Sequence, residues 1–308
     1  MERAVITGAN GMLGASLAAE LLSHGAEVLA LVRNAPGSRC HLPEHPRLRV
    51  VPCDLDALGT MENPERDKPY DVFYHFAWDG TYGSARDDAL RQNGNIRHTL
   101  HAISMAHRLG CKRFVGAGSQ AEYGPVRSGQ KLTAATPAFP VTGYGMAKLA
   151  AGQLGLLHAR QLGLEFVWVR VLSVYGPMEK PYSLTMSTIL ALLCGKETHF
   201  TPGEQLWDFL HCKDAARAFR LIGQRGHNEK TYVLGSGTTI PLAEALAILR
   251  DQINPLARLG IGDLPYPPNQ VRYLCADLAP LTEDTGFVPL VPYAAGVAST
   301  IQWAKEQL

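Results

Sequence analysis

The chain has 308 residues, of which 46% are hydrophobic and 19% are charged, and its formal net charge is +1. This composition excludes a wholly disordered chain, and the balance of 29 basic against 28 acidic residues argues against a nucleic-acid-binding or membrane-surface protein. The six cysteines are widely spaced without a C-x-x-C pair, so we expect free thiols in a cytoplasmic protein, and neither disulfides nor a metal site.

Short apolar runs alternate with helical patterns through the first half of the chain. Strands are predicted at residues 4–7, 27–32, 48–51, 72–76, 113–117 and 166–171, and helices at residues 12–24, 86–109 and 144–162. The alternation predicts an α/β fold with a doubly wound parallel (Rossmann) sheet in a dinucleotide-binding domain at residues 1–178. Proline-rich segments after it predict a smaller, loop-rich substrate-binding lobe at residues 179–308, with parts of residues 207–240 completing the sheet.

A glycine-rich turn joins the first predicted strand to the first helix. Its spacing is G-x-x-G-x-x-G, with glycines at positions 8, 11 and 14. Such a turn lets backbone N–H groups approach a pyrophosphate at the positive end of a helix, and the last glycine allows the helix to pack closely on the strand. We expect the cofactor to be bound here by Gly8, Asn10, Gly11, Met12 and Leu13.

The end of the second predicted strand indicates which dinucleotide is used. A carboxylate about 20 residues after the glycines would accept the ribose hydroxyls of NAD. This chain has Arg33 instead, with Arg39 close behind it. Because a guanidinium suits a 2′-phosphate, the sequence favours NADPH.

Tyr144 and Lys148 lie one helical turn apart, and Ser119 follows the fifth predicted strand. A free phenol has a pKa of ~10, and we expect the lysine charge, together with the charge of the nicotinamide, to lower the pKa of Tyr144 toward neutrality. Ser119 is expected at the carboxyl edge of the sheet, where its hydroxyl can hydrogen-bond a substrate carbonyl. These three residues are the predicted catalytic group.

The glycine turn and the order of these three residues resemble the extended short-chain dehydrogenase/reductase family, in its sugar-nucleotide epimerase, dehydratase and 4-ketoreductase branch. The resemblance covers nearly the whole chain. It is also carried by residues 53–55 (CDL), 75–77 (HFA), Asn95, 170–177 (RVLSVYGP), 207–214 (WDFLHCKD) and 276–278 (ADL). It implies a homodimer formed by the helices at 86–109 and 144–162, and further cofactor-binding roles for Asp54, Leu55, Phe76, Ala77, Asn95 and Lys148.

The residues after Ser119 bear on the reaction. Dehydratases of this family resemble T-D-E-x-Y-G here, with the two carboxylates as acid and base, whereas this chain has Gln120 and Ala121 in those places. We therefore do not expect 4,6-dehydration. The G-S-x-A-E-Y-G form resembles CDP-abequose synthase-like and GDP-4-keto-6-deoxymannose reductase-like enzymes.

We therefore expect NADPH-dependent reduction of the C4 ketone of a nucleotide-linked 4-keto-6-deoxy sugar, with Tyr144 as the general acid. Three alternatives stay open: an NAD-dependent sugar-nucleotide 4-epimerase, a reductase of other small ketones, and a non-catalytic NADP(H)-binding regulator. Where family members often have Asn and Arg, this chain has Ser173 and Trp207. The residues expected to bind substrate are Trp78, Gln120, Ser173, Lys180, Trp207 and Arg272.

Overall fold

A computed structural model describes residues 1–33, 40–64, 68–126, 129–267 and 270–308. Its strands, in chain order, are β1 (Arg3–Thr7), β2 (Glu27–Val32), β3 (Leu48–Pro52), β4 (Val72–His75), β5 (Arg113–Ser119), β6 (Glu165–Val171), β7 (Ser173–Tyr175), β8 (Leu206–Trp207), β9 (Phe209–His211), β10 (Thr231–Leu234) and β11 (Ile240–Pro241). Its helices are α1 (Met12–Ser23), α2 (Ala89–Arg108), α3 (Gly143–Leu162), α4 (Leu184–Leu193), α5 (Cys212–Arg225), α6 (Leu242–Ile253), α7 (Ala279–Thr285) and α8 (Tyr293–Lys305).

The centre of the molecule is a seven-stranded sheet in the order β10–β6–β5–β4–β1–β2–β3, and all of its pairs are parallel. Helices α1 and α5 pack together on one face, and α2 and α3 pack together on the other. This is the doubly wound parallel sheet that the sequence predicts. The strand order reverses beside β1, so a ligand crevice is expected at the carboxyl ends of β1 and β4.

Two element boundaries differ from the prediction by more than one residue. The helix expected from residue 86 begins at Ala89, because the Asp88 side chain accepts a hydrogen bond from the backbone N–H of Arg91 and caps the helix. Strand β5 continues two residues beyond the predicted end, with Ser119 paired to Val171 of β6. Ser119 is therefore the last residue of a strand and not part of the following loop.

The second half of the chain builds a separate apolar cluster from α4, α6 and α8, and it also returns β10 to the edge of the main sheet. The domain boundary after residue 178 stays a prediction. Among the described residues, no helix is both long and apolar enough to cross a membrane. All six cysteines are free thiols.

Trp168 of β6 occupies space that three glycines leave open. A Cβ atom at Gly116 would lie 2.5 Å from Cε3 of the indole, and one at Gly152 would lie 2.9 Å from Nε1. A Cβ atom at Gly118 would overlap the indole and the carboxylate of Glu122. The indole N–H donates to Glu122 Oε1 at 3.0 Å, which ties the core of the sheet to the end of β5.

The small residues of α3 pack within the chain. Ala147 and Ala151 are buried, and a Cβ atom at Gly155 would lie 3.1 Å from Ile103 of α2 and from Phe166 of β6. Close packing of α3 on α2 and on the sheet therefore accounts for these small side chains. The predicted homodimer needs other residues of this helix pair.

Candidate active site

A cavity of about 890 Å³ opens at the carboxyl edge of the sheet. It extends from the glycine turn, past the ends of β4 and β5, to the segment that contains β8 and β9. The predicted site residues that line it are Gly8, Gly11, Met12, Leu13, Phe76, Trp78, Ser119, Gln120, Tyr144, Lys148, Ser173, Lys180 and Trp207. One continuous space therefore joins the predicted cofactor turn to the predicted catalytic and substrate residues.

The glycine turn is built for close backbone approach. Gly8 has φ +67°, and a Cβ atom there would lie 2.8 Å from the backbone nitrogen of Ala77. A Cβ atom at Gly14 would lie 2.7 Å from Cα of Ala9, which confirms that this glycine allows α1 to pack against the turn. No side chain caps α1 at Gly11, so the N–H groups of its first turn can bind the phosphates of a dinucleotide.

The adenosine side of the predicted cofactor site lies at the ends of β2 and β3. Arg33 follows β2 and is exposed, and Asp54 follows β3. The backbone N–H of Cys53 donates to the carbonyl of Val32 at 2.8 Å, which brings the two strand ends together. Arg39 lies outside the described residues. Arg33, Asp54 and Leu55 do not line the cavity, and their cofactor roles stay predictions.

Ser119 is positioned by a buried ion pair beneath it. Its backbone N–H donates to Glu122 Oε1 at 2.8 Å, and its side chain accepts from the N–H of Ala121, so that Ser119 and Glu122 form a capping box. Glu122 Oε2 lies 2.8 Å from Nε of Arg170, and only 1% of the Glu122 side chain and 10% of the Arg170 side chain are exposed. This pair was not predicted, although S-x-x-E is a recognisable capping signal.

Tyr144 lies in the second position of α3, where the helix begins beside Ser119. The Thr142 side chain caps the helix by accepting from the N–H of Gly145, and the Ser119 side chain is close enough to the Tyr144 hydroxyl to favour its ionised form. The Arg86 guanidinium lies 4.4 Å from the centre of the Tyr144 ring, and Trp78 packs edge-on against the same ring. Arg86 lines the cavity and was not predicted, because no pattern in the sequence indicates that the residues before α2 turn back onto Tyr144.

In the structure, the pKa of Tyr144 is raised. Burial raises it, and this effect exceeds the opposing influence of the Ser119 side chain and the Arg86 charge. Lys148 does not supply the expected lowering: its ammonium donates to the carbonyl of Ala117 at 2.6 Å and lies 3.7 Å from the centre of the Trp78 ring. Burial lowers the pKa of Lys148 to about 7, so its positive charge is itself partly lost at neutral pH.

Four predicted residues have structural contacts in place of a position on the cavity wall. Asn95 is buried and bonds both backbone groups of Asp79. Asn10 accepts from the N–H of His41. The Arg272 guanidinium lies 3.7 Å from the centre of the Tyr266 ring and 3.2 Å from a carboxylate oxygen of Glu204. The fourth, Ala77, donates its N–H to Thr7.

Ser173 and Trp207, which stand where family members often have Asn and Arg, contact each other. The indole N–H of Trp207 donates to the hydroxyl of Ser173 at 2.6 Å, and both side chains line the cavity. The wall at this place is therefore an aromatic surface with its polar group already satisfied.

The chain is similar in sequence and in structure to several known proteins. A family model described as the NAD dependent epimerase/dehydratase family matches residues 4–235. A dTDP-glucose 4,6-dehydratase of Streptomyces griseus is 26% identical over 97% of this chain and 93% of its own length. A UDP-N-acetylglucosamine 4-epimerase of Methanobrevibacter ruminantium M1, solved with UDP-N-acetylmuramic acid, has a TM-score of 0.88 at 20% identity, covering 100% of this chain and 99% of that one. DesIV, a dTDP-glucose 4,6-dehydratase of Streptomyces venezuelae solved with NAD, has a TM-score of 0.83 at 24% identity, covering 99% and 97%.

Proposed function

The chain belongs to the NAD dependent epimerase/dehydratase family, within the extended short-chain dehydrogenases/reductases, and from this premise we propose that it is an NADPH-dependent 4-ketoreductase of nucleotide sugars. Family membership makes it an enzyme that works with a nicotinamide dinucleotide. The proposed substrate is a nucleotide-linked 4-keto-6-deoxy sugar, and the proposed product is the corresponding C4 alcohol.

One observation carries the proposal. Tyr144 and Ser119 line the same cavity as the glycine turn, with the Ser119 side chain close to the Tyr144 hydroxyl. Because burial raises the pKa of Tyr144, its phenol keeps its proton at neutral pH. A carbonyl reduction needs a proton donor at the oxygen, and a protonated phenol is suited to that role.

Ser119, Tyr144 and Lys148 have separate roles in the proposed reduction. When bound, NADPH supplies the hydride, which is the redox chemistry that the protein lacks. Ser119 hydrogen-bonds the carbonyl oxygen and orients it, and Tyr144 gives its phenolic proton to that oxygen as negative charge develops there. Lys148 holds its ammonium between Trp78 and the carbonyl of Ala117, on the side of the cavity nearest the tyrosine.

The dehydratase relatives do not change this proposal. Their reaction removes water, and in the family pattern it uses a pair of carboxylates after the catalytic Ser or Thr. Gln120 and Ala121 stand in those places and carry no titratable group. An amide and a methyl group cannot act as acid and base, which leaves hydride transfer with the Tyr144 proton as the chemistry these residues support.

A 4-epimerase remains the second candidate, because DesIV and other structural neighbours were solved with NAD. The test is to incubate purified protein with NADPH and a panel of 4-keto-6-deoxyhexoses linked to CDP, dTDP, GDP and UDP. We expect NADPH to be oxidised with at least one of them, and expect no stoichiometric NAD in the supernatant of the denatured protein. Trapped NAD together with interconversion of C4 epimers would replace the reductase with the epimerase.

The choice of cofactor gives a separate prediction at Arg33. The residue is exposed at the end of β2, where an acidic side chain would repel a 2′-phosphate. We expect Arg33→Ala to lower the ratio of kcat/KM for NADPH to that for NADH by about tenfold, the loss of one charge-assisted contact. The matched control is Arg47→Ala, an exposed arginine at the opposite end of β3, which should leave the ratio unchanged. An unaltered ratio in Arg33→Ala would contradict the assignment of this residue.

We also propose that two copies associate through α2 and α3. This helix pair leaves apolar side chains exposed, with Leu90, Met146, Leu154 and Leu157 each at least 45% exposed. A second copy that covers them would remove this apolar surface from water.

A further inference from the structure

Four buried side-chain atoms among the described residues have no hydrogen-bond partner. Two of them, His98 Nδ1 and His101 Nδ1, belong to α2. The other two, Gln120 Oε1 and Glu179 Oε2, belong to residues that line the active-site cavity. Both oxygens are acceptors, and a buried acceptor without a donor is costly. The cavity therefore lacks hydrogen-bond donors at two points, which a ligand can provide.

Glu179 lies in the loop between β7 and α4. The Ser183 side chain and the backbone N–H of Gly176 lie near its carboxyl group and partly oppose the effect of burial on its pKa. Its own backbone N–H donates to the Gly176 carbonyl at 3.3 Å. Oε2 of the carboxylate is buried and has no hydrogen-bond partner.

The backbone next to Glu179 is in an uncommon conformation. Met178 has φ +67°, a left-handed value that residues other than glycine rarely adopt. Such strain persists where the surrounding structure enforces it, and it concentrates at functional sites. The conformation directs the chain so that Met178, Glu179 and Lys180 all line the cavity.

The charge of Glu179 depends on its surroundings. Burial raises its pKa to about 7, so at pH 8 the carboxylate form predominates. The nearby phenols of Tyr175 and Tyr293 have pKa values raised chiefly by burial, and both stay neutral at that pH. Lys180, the next residue, is exposed. At pH 8 the unpartnered oxygen is therefore an anionic acceptor.

We propose that Glu179 is a substrate-binding residue whose carboxylate accepts a hydrogen bond from a hydroxyl group of an uncharged sugar and disfavours sugars that carry a carboxylate. The inference rests on the proposed function, because it takes the sugar of a nucleotide sugar to enter this cavity. A sugar hydroxyl supplies the missing donor. A sugar carboxylate supplies only acceptors and a second negative charge, which Glu179 and the Gln120 oxygen cannot accommodate.

The test measures binding by calorimetry at pH 8 with NADP⁺ present, so it does not depend on turnover. The probes are two matched pairs, UDP-glucose with UDP-glucuronic acid and dTDP-glucose with dTDP-glucuronic acid. For the pair whose nucleotide binds more tightly, we expect the unaltered protein to prefer the neutral sugar by at least about tenfold. Glu179→Leu should weaken neutral-sugar binding by about tenfold and leave the acidic sugar unchanged or tighter. Glu179→Gln, whose amide oxygen can still accept, should bind the neutral sugar within about threefold of the unaltered protein and the acidic sugar about tenfold more tightly.

The matched control is Glu244→Gln, an exposed glutamate of α6 outside the cavity, which should reproduce the unaltered protein. Equal losses for both sugars in Glu179→Leu would reduce Glu179 to a structural role and overturn the proposal. Weaker NADP⁺ binding in either variant would place Glu179 at the cofactor instead, and would also overturn it. If neither nucleotide-sugar pair binds the unaltered protein, this inference fails, whereas the proposed function fails only if none of the 4-keto sugars is reduced. If 4-keto sugars are reduced but the preference is insensitive to Glu179, only this inference fails.

Discussion

Tyr144→Phe is expected to lower kcat by about 10² or more while leaving the affinity for NADPH within about threefold of the unaltered protein. The phenol lies close to the Ser119 side chain in the cavity and keeps its proton at neutral pH. Phenylalanine keeps the ring that packs on Trp78 and Arg86, so the shape of the cavity should survive. The measurement is steady-state oxidation of NADPH with a 4-keto sugar nucleotide, together with fluorescence titration of the cofactor.

The control removes a tyrosine hydroxyl elsewhere. Tyr74 is fully buried in β4. Its hydroxyl donates a hydrogen bond to the Met1 sulfur at 3.4 Å. Tyr74→Phe should therefore keep kcat within about threefold, because a weak sulfur contact contributes little. Near-normal turnover in Tyr144→Phe, or an equal loss in both variants, would contradict the role assigned to Tyr144.

Glu122→Leu is expected to lower the free energy of unfolding by about 3–5 kcal/mol, because it leaves the Arg170 guanidinium buried without its counter-charge. The substitution also removes the acceptor for the N–H of Ser119 and for the indole of Trp168. The denaturation midpoint measured by circular dichroism reports the change. An unaltered midpoint would show that the pair is not needed for stability.

Two further variants separate charge from packing. In Glu122→Leu with Arg170→Met, both charges are gone, and we expect much of the lost stability to return. Arg160→Leu breaks an exposed ion pair with Glu229, whose side chains are 55% and 39% exposed, and it should cost less than about 1 kcal/mol. If the double variant is no more stable than Glu122→Leu, the loss lies in packing and not in the unpaired charge.

Much of the fold could be predicted because its signals are local. The glycine turn, the apolar strands and the Tyr144–Lys148 spacing each depend on a few neighbouring residues, and the β-α alternation predicts the parallel sheet. The pair of Glu122 and Arg170 could not be found this way. Those residues are 48 positions apart, and they meet only because β5 and β6 pair in one register.

The predicted effect of Lys148 on the pKa of Tyr144 was wrong for a different physical reason. Helical spacing predicts that Lys148 is near the tyrosine, but it does not predict where the ammonium points or how much water surrounds the phenol. In the structure, the ammonium faces Ala117 and Trp78, and burial outweighs the remaining charges. Glu179 gave no sequence signal at all, since its significance lies in an oxygen without a donor.

The Trp168 side chain limits which residues can replace the glycines at 116, 118 and 152, and those glycines limit which residues can replace Trp168. Any side chain at one of these glycines collides with the indole, and a smaller residue at 168 would open a void beside β5. The four positions can therefore change only in concert, larger at one and smaller at another. Among distant homologues, a glycine lost from this group should be accompanied by a smaller residue in place of the tryptophan, and the support of Glu122 would then have to come from elsewhere.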